Sequence, residues 1–162
     1  MLTFTRRLLQ LLMLLAPLFI LILLAVLAAT FFSPEAAGKV PVAGAERVAG
    51  TRIALVWIIA MALLGLVVLH RLLGIVTAAK QGDPFIPDNA RRLREIGMAL
   101  LGIEVIRWLG ALLLWFASAQ PLEPNVEASL DLVPWLAILL AFVLARVFEV
   151  GTRLRDDAAL TV

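Results

Sequence analysis

Four long apolar runs separated by short polar stretches set the pattern of this 162-residue chain. The first, Leu8 to Phe32, is broken only by Gln10, Pro17 and Thr30. Wound as a helix, its 25 residues measure about 37 Å, enough to cross a bilayer with some tilt. The others run from about 53 to 79, 96 to 119 and 130 to 150, each near the roughly 20 residues a membrane span needs. The pattern predicts one all-α integral membrane domain over 1–162, a four-transmembrane-helix bundle made of two hairpins. Arg6 and Arg7 precede the first run in the manner of a signal peptide. That run is well beyond the roughly 7–15 apolar residues of a cleavable signal, so it reads as an anchor.

Composition strengthens the membrane reading. The chain is 63% hydrophobic with mean hydropathy +1.04, against about 45–50% apolar residues in a soluble domain, and a core of this size cannot hide the excess. Cysteine is absent and His70 is the single histidine, which excludes disulfides and thiolate metal sites. No carboxylates cluster at ligand spacing, so neither a metal nor a cofactor is expected. The net charge of +2 is too small to suggest nucleic-acid binding.

The placement of charge orients the spans. Nine basic residues (Arg6, Arg7, Arg71, Lys80, Arg91, Arg92, Arg94, Arg153 and Arg155) fall on one side, against three (Lys39, Arg47 and Arg52) on the other. Basic residues accumulate on the cytoplasmic side, so both termini and the stretch between the second and third spans are expected there. The loop 118–131, with Glu123 and Glu127, and the Pro- and Gly-containing stretch 33–51 are expected outside, the latter as a flexible linker.

The polar stretch Gln81 to Gly97, "QGDPFIPDNARRLREIG", is the sharpest local feature. Gly82 can take the positive φ that ends a helix, and Pro84 and Pro87 lack the amide needed to continue one. Asp88 or Asn89 is then expected to cap the third helix. Two readings stay open. Arg91, Arg92 and Arg94 would each gain about 1 kcal/mol from anionic lipid, making the stretch a turn with a lipid anchor. In the second reading it docks a cytoplasmic partner, with Phe85 and Ile86 as apolar anchors. An echo recurs after the fourth span: Gly82, Phe85 and Asp88 match Gly151, Leu154 and Asp157 in spacing, which suggests duplicated hairpins with one composite exit surface.

Charges also occur inside the spans. Glu104 and Arg107, and again Arg146 and Glu149, are three apart and so share a helical face. Charges at such depth cost roughly 2.5–3.5 kcal/mol each and are expected to face protein or a wet cavity. With His70 they suggest a polar pocket open to the cytoplasm; the alternative is ion pairs that lock the bundle, with Arg71 snorkelling to the headgroups. Trp57, Trp115 and Trp135 fit an interfacial belt, and Trp108 is expected to pack against another helix. Gly97, Gly102, Gly110 and Ala111 allow close helix approach without a GxxxG spacing, and oligomeric state stays open. No GxSxG, HExxH, Walker or dinucleotide motif occurs, and Ser33, Ser118 and Ser129 have no histidine nearby. The chain reads as non-enzymatic.

Taken together, "GDPFIPDNARRLREIG" and "LARVFEVGTRLRDDAALTV" resemble a bacterial family of small four-helix membrane proteins, domain-of-unknown-function family 2975 (DUF2975). The matching positions are Gly82, Pro84, Phe85, Asn89, Leu93, Arg94, Ile96 and Gly97, then Val147, Phe148, Gly151, Leu154, Asp157, Thr161 and Val162. The resemblance implies no enzymatic activity and no catalytic residue. It implies instead a bacterial inner-membrane regulator accompanied by a small cytoplasmic helix-turn-helix protein, with no direct contact to nucleic acid by this chain. The expected partner surface comprises Gly82, Pro84, Phe85, Asn89, Arg91, Arg94, Gly151, Leu154 and Asp157. A small transporter or proton-coupled channel using His70, Glu104, Arg107, Arg146 and Glu149 is the alternative.

Overall fold

A computed structural model describes residues 2–33, 48–82, 85–117 and 132–159. Pro84, Thr161, Val162 and most of the expected outer loops, with Lys39, Arg47, Glu123, Glu127, Ser118 and Ser129, lie outside the described residues, as does the side chain of Trp115; the last four residues of the stretch expected as a linker, 48–51, are helical.

Four helices make up the described chain: α1 (Leu2–Phe32), α2 (Val48–Lys80), α3 (Pro87–Ala117) and α4 (Leu132–Ala159). All four are long and apolar enough to cross a membrane. Each outruns its predicted span, α3 by nine residues at its start and α4 by nine at its end. The hydrophobic pattern marks only the part that needs an apolar solvent; the backbone continues as helix until a residue stops it. In α1, Leu14, Leu18, Leu21 and Phe32 are exposed while Leu9 and Ile20 are buried. Large apolar residues facing outward on several sides of one helix suit lipid, where leucine loses nothing by exposure.

Between α2 and α3 the chain stops as the sequence implied. Gly82 has φ +88°, the left-handed conformation that turns the chain out of the helix, after the Gln81 and Gly82 amides have donated back to the Ala78 and Ala79 carbonyls. The restart differs from expectation. Pro87 is the first residue of α3, where a missing amide costs nothing, and the Asn89 amide already donates to the Ile86 carbonyl at 3.0 Å. Asp88 and Asn89 therefore both stand inside the first turn, and neither is the cap.

Each helix packs on its neighbours in sequence, α1 on α2, α2 on α3 and α3 on α4, and among the described residues no other pair touches. The bundle is therefore open, and α3 separates α2 from α4. Neighbours run antiparallel: Leu64 meets Gly102, the Arg92 side chain meets Gly74, and the Phe142 ring meets Gly97. This places the start of α1, the turn at Gln81 and Gly82, the start of α3 and the end of α4 at one end of the molecule. That end is called the turn end below.

At the opposite end, Arg52 ties α2 to α1. Its Nη2 donates to the Thr30 carbonyl at 2.6 Å, and its guanidinium lies 4.1 Å from the Phe31 ring centroid. Carbonyls in the last turn of a helix lack partners and carry partial negative charge, so an arginine is favoured there. Trp57 was expected in an interfacial belt; its Nε1 instead donates to the Ile106 carbonyl of α3 at 2.6 Å, and its indole fills the space beside Gly110.

Candidate functional site

The two stretches that carry the family resemblance meet at the turn end. Phe85, just past the turn, lays its ring 5.3 Å from that of Phe148 in α4. The same ring covers Gly151, where a Cβ would come within 2.8 Å of Phe85 Cδ1. Only glycine leaves that room. The turn following α2 is thus fastened onto α4, across the start of α3. Thr152 is buried beside this joint, its Oγ1 donating to the Phe148 carbonyl at 2.8 Å.

Two groups of charges flank the joint. On the α2–α3 side, Arg71 pairs with Glu95, whose other oxygen lies 3.7 Å from Arg91. Arg92 Nη1 donates to Asn89 Oδ1 at 2.8 Å, and Asp88 sits about a water's reach from Arg91 and Arg92 at 4.0 and 3.9 Å. A recess of about 310 Å³ opens here, lined in part by His70, Arg71, Gly74, Gln81, Ile86 and Arg92. On the α3–α4 side one carboxylate, Glu149, faces three arginines: Arg153 at 2.9 Å, Arg146 at 3.0 Å and Arg94 at 3.7 Å. Those three are largely exposed while Glu149 is not. Both groups hold more cations than anions.

Several expected site residues are placed differently from the sequence reading. Asn89 is fully buried and accepts from Arg92, so it builds the inside of the turn and offers nothing to a partner. Phe85 spends most of its ring on Phe148 and Gly151, leaving 39% of the residue exposed. Gly151 lies within α4 and ends no helix, so the echo between Gly82 and Gly151 is not structural: one glycine turns the chain and the other receives a ring. Arg91, Arg94, Leu154 and Asp157 are exposed.

His70, Glu104, Arg107, Arg146 and Glu149 do not converge on one pocket. His70 lies on α2 and the Arg146–Glu149 pair on α4, with α3 between them. Glu104 is eight residues beyond Ile96 on α3, about 12 Å of helix rise. It is buried, and Oε2 accepts from Arg107 Nε at 3.0 Å and Nη2 at 2.6 Å. Trp108 does not pack inward; it is exposed, with the Arg107 guanidinium 5.8 Å from its ring centroid, within cation–π reach.

Sequence reasoning missed Glu95, Phe148 as the partner of Phe85, and Gly74 as the seat of Arg92. Part of this was readable: Asp88, Arg91, Arg92 and Glu95 fall at spacings of three and four on one helix. The Arg71–Glu95 and Phe85–Phe148 contacts span separate helices, and no local spacing marks them.

The arrangement offers cationic donors, exposed apolar side chains and a recess, with no nucleophile–base pair. Among the described residues no three metal-ligating side chains come together. Four apolar helices and a joint between the stretches around Phe85 and Gly151 define a class, small helical proteins with spans suited to a membrane. More particularly, residues 32–162 match the family described as a protein of unknown function (DUF2975), and the chain belongs to that family. No curated protein and no solved structure matches the chain significantly.

Proposed function

We propose that this chain is a multi-pass protein of the bacterial cytoplasmic membrane, with both termini inside, that acts without catalysis by holding a small helix-turn-helix regulator at its turn end. The observation that carries the reading is the Phe85–Gly151–Phe148 joint. It makes two distant stretches into one surface, ringed by exposed Arg91, Arg94, Arg153 and Leu154. Nine of the fourteen basic residues belong to the side that the positive-inside rule assigns to the cytoplasm. Transport has less support, because Glu104, Arg107 and His70 form no common cavity.

Crosslinking from Leu154 in native membranes tests the partner. A single helix-turn-helix protein is expected from the wild type, and capture should fall sharply in Gly151→Leu and on removal of the last six residues. Undiminished capture by both variants would sink the proposal. Sidedness has its own test, made clean by the absence of cysteine. Leu154→Cys should resist an impermeant maleimide in intact cells, whereas Phe32→Cys should react; the reverse pattern would overturn the orientation.

A further inference from the structure

The recess between α2 and α3 is more specific than a basic surface. Arg71, Arg92 and His70 line it together with the Gln81 amide, and among the described residues no carboxylate lines it. Among the described residues two nearby acids act from outside: Glu95 engages Arg71 through Nε, and Asp88 approaches Arg92 no closer than 3.9 Å. Both guanidinium groups therefore keep donors in hand, and among the described residues His70 has no ion-pair partner. Arg92 is held in place, bonded to the buried Asn89 and seated against Gly74, where a Cβ would lie 2.9 Å from its Nε. Two forked, preorganised donor groups in a hollow of about 310 Å³ suit a phosphoryl group. At about 30 Å³ per water, the hollow has the volume of roughly ten waters, ample for a phosphate with its attached alcohol.

Its height and its surroundings point to lipid. On α2 the span between Arg52 and His70 carries no charge, and those eighteen steps rise about 27 Å, close to the roughly 30 Å of a hydrocarbon core. His70 and Arg71 thus stand at the level of headgroup phosphates. Below the recess, Leu63 and Val67 continue the helical face of His70, Gly74, Thr77 and Gln81 at spacings of three and four. Both are exposed, forming an apolar track that leads up to the cationic hollow.

We propose that this recess is a binding site for one anionic phospholipid, its phosphate held by Arg92 and Arg71 with His70 and Gln81, and a chain lying along Val67 and Leu63. The site rests on the membrane reading above but not on the protein partner. Full-length protein in phosphatidylcholine nanodiscs doped with phosphatidylglycerol, analysed by intact-complex mass spectrometry, reads the lipid retained. Arg92→Gln and, separately, Gln81→Glu should each lower retained phosphatidylglycerol by roughly fivefold or more. Gln81→Glu keeps the Arg92–Asn89 bond and so separates binding from folding. Arg153→Gln removes an equal charge outside the recess and should leave retention within about twofold, the change expected for screened surface charge. Equal losses in all three variants, or none in the first two, would overturn the site. Release by millimolar inorganic phosphate from protein that holds phosphatidylglycerol no better than a short-chain glycerol phosphate would overturn the lipid assignment. Failure of the maleimide test with selective retention intact would remove the orientation and leave the lipid site standing.

Discussion

Glu104–Arg107 and Arg146–Glu149 present the same spacing on consecutive helices, yet they occupy opposite electrostatic situations. In the first, the Glu104 side chain is 6% exposed and among the described residues one arginine is its only ion-pair partner. In the second, Glu149 is 28% exposed and shares itself among three arginines from two helices. A buried carboxylate with one partner depends on that partner almost completely, because no water stands ready to replace it. A carboxylate near the chain ends has substitutes. The spacing alone therefore says that two side chains can meet; burial decides how much follows from the meeting.

That contrast breaks first at Arg107. Arg107→Leu strands Glu104 and should destabilise the protein by about 3–5 kcal/mol, measured as loss of folded protein in a detergent unfolding titration. Adding Glu104→Gln should recover most of it. If the single and double variants unfold alike, the pair is not what holds Glu104 inside. Gly151→Leu comes next, an overpacking change of about 1–3 kcal/mol that should also free the turn to a protease recognising Arg91. Loss of the interhelical bond in Trp57→Phe should cost less, roughly 0.6 kcal/mol, the average for hydrogen bonds between membrane helices. Arg146→Gln should move the unfolding midpoint least of the four, since Arg153 and Arg94 still face Glu149. A shift as large as that of Arg107→Leu would erase the distinction between the two pairs.

The turn region shows the limit of local reading most clearly. Gly82 was legible because it imposes its own backbone constraint, a positive φ; Pro87 was expected only to stop a helix, and it starts one because a missing amide costs nothing at the first position. Asn89 was misread as a cap because its residue type favours caps, whereas its side chain is engaged by Arg92 three residues on. Gly151 was paired with Gly82 on sequence spacing alone. A glycine inside a helix costs about 1 kcal/mol relative to alanine, and here it makes room for an aromatic ring from another part of the chain. Trp57 looked interfacial until the Ile106 carbonyl supplied an interhelical partner.

Hydrophobic run length determined the number of helices, their minimum extent and their need for an apolar surrounding, since those follow from composition over about 20 consecutive residues. Charge placement separated one end of the molecule from the other for the same local reason. Only the tertiary structure decided that the helices form an open row, that Phe85 closes onto Gly151, and that Arg71 and Arg92 share a hollow while Glu104 lies about 18 Å of helix rise beyond Arg92 along α3. Those outcomes depend on contacts between residues far apart in sequence. Their free energies are set by burial and by which neighbour arrives, and neither is a property of the local chain.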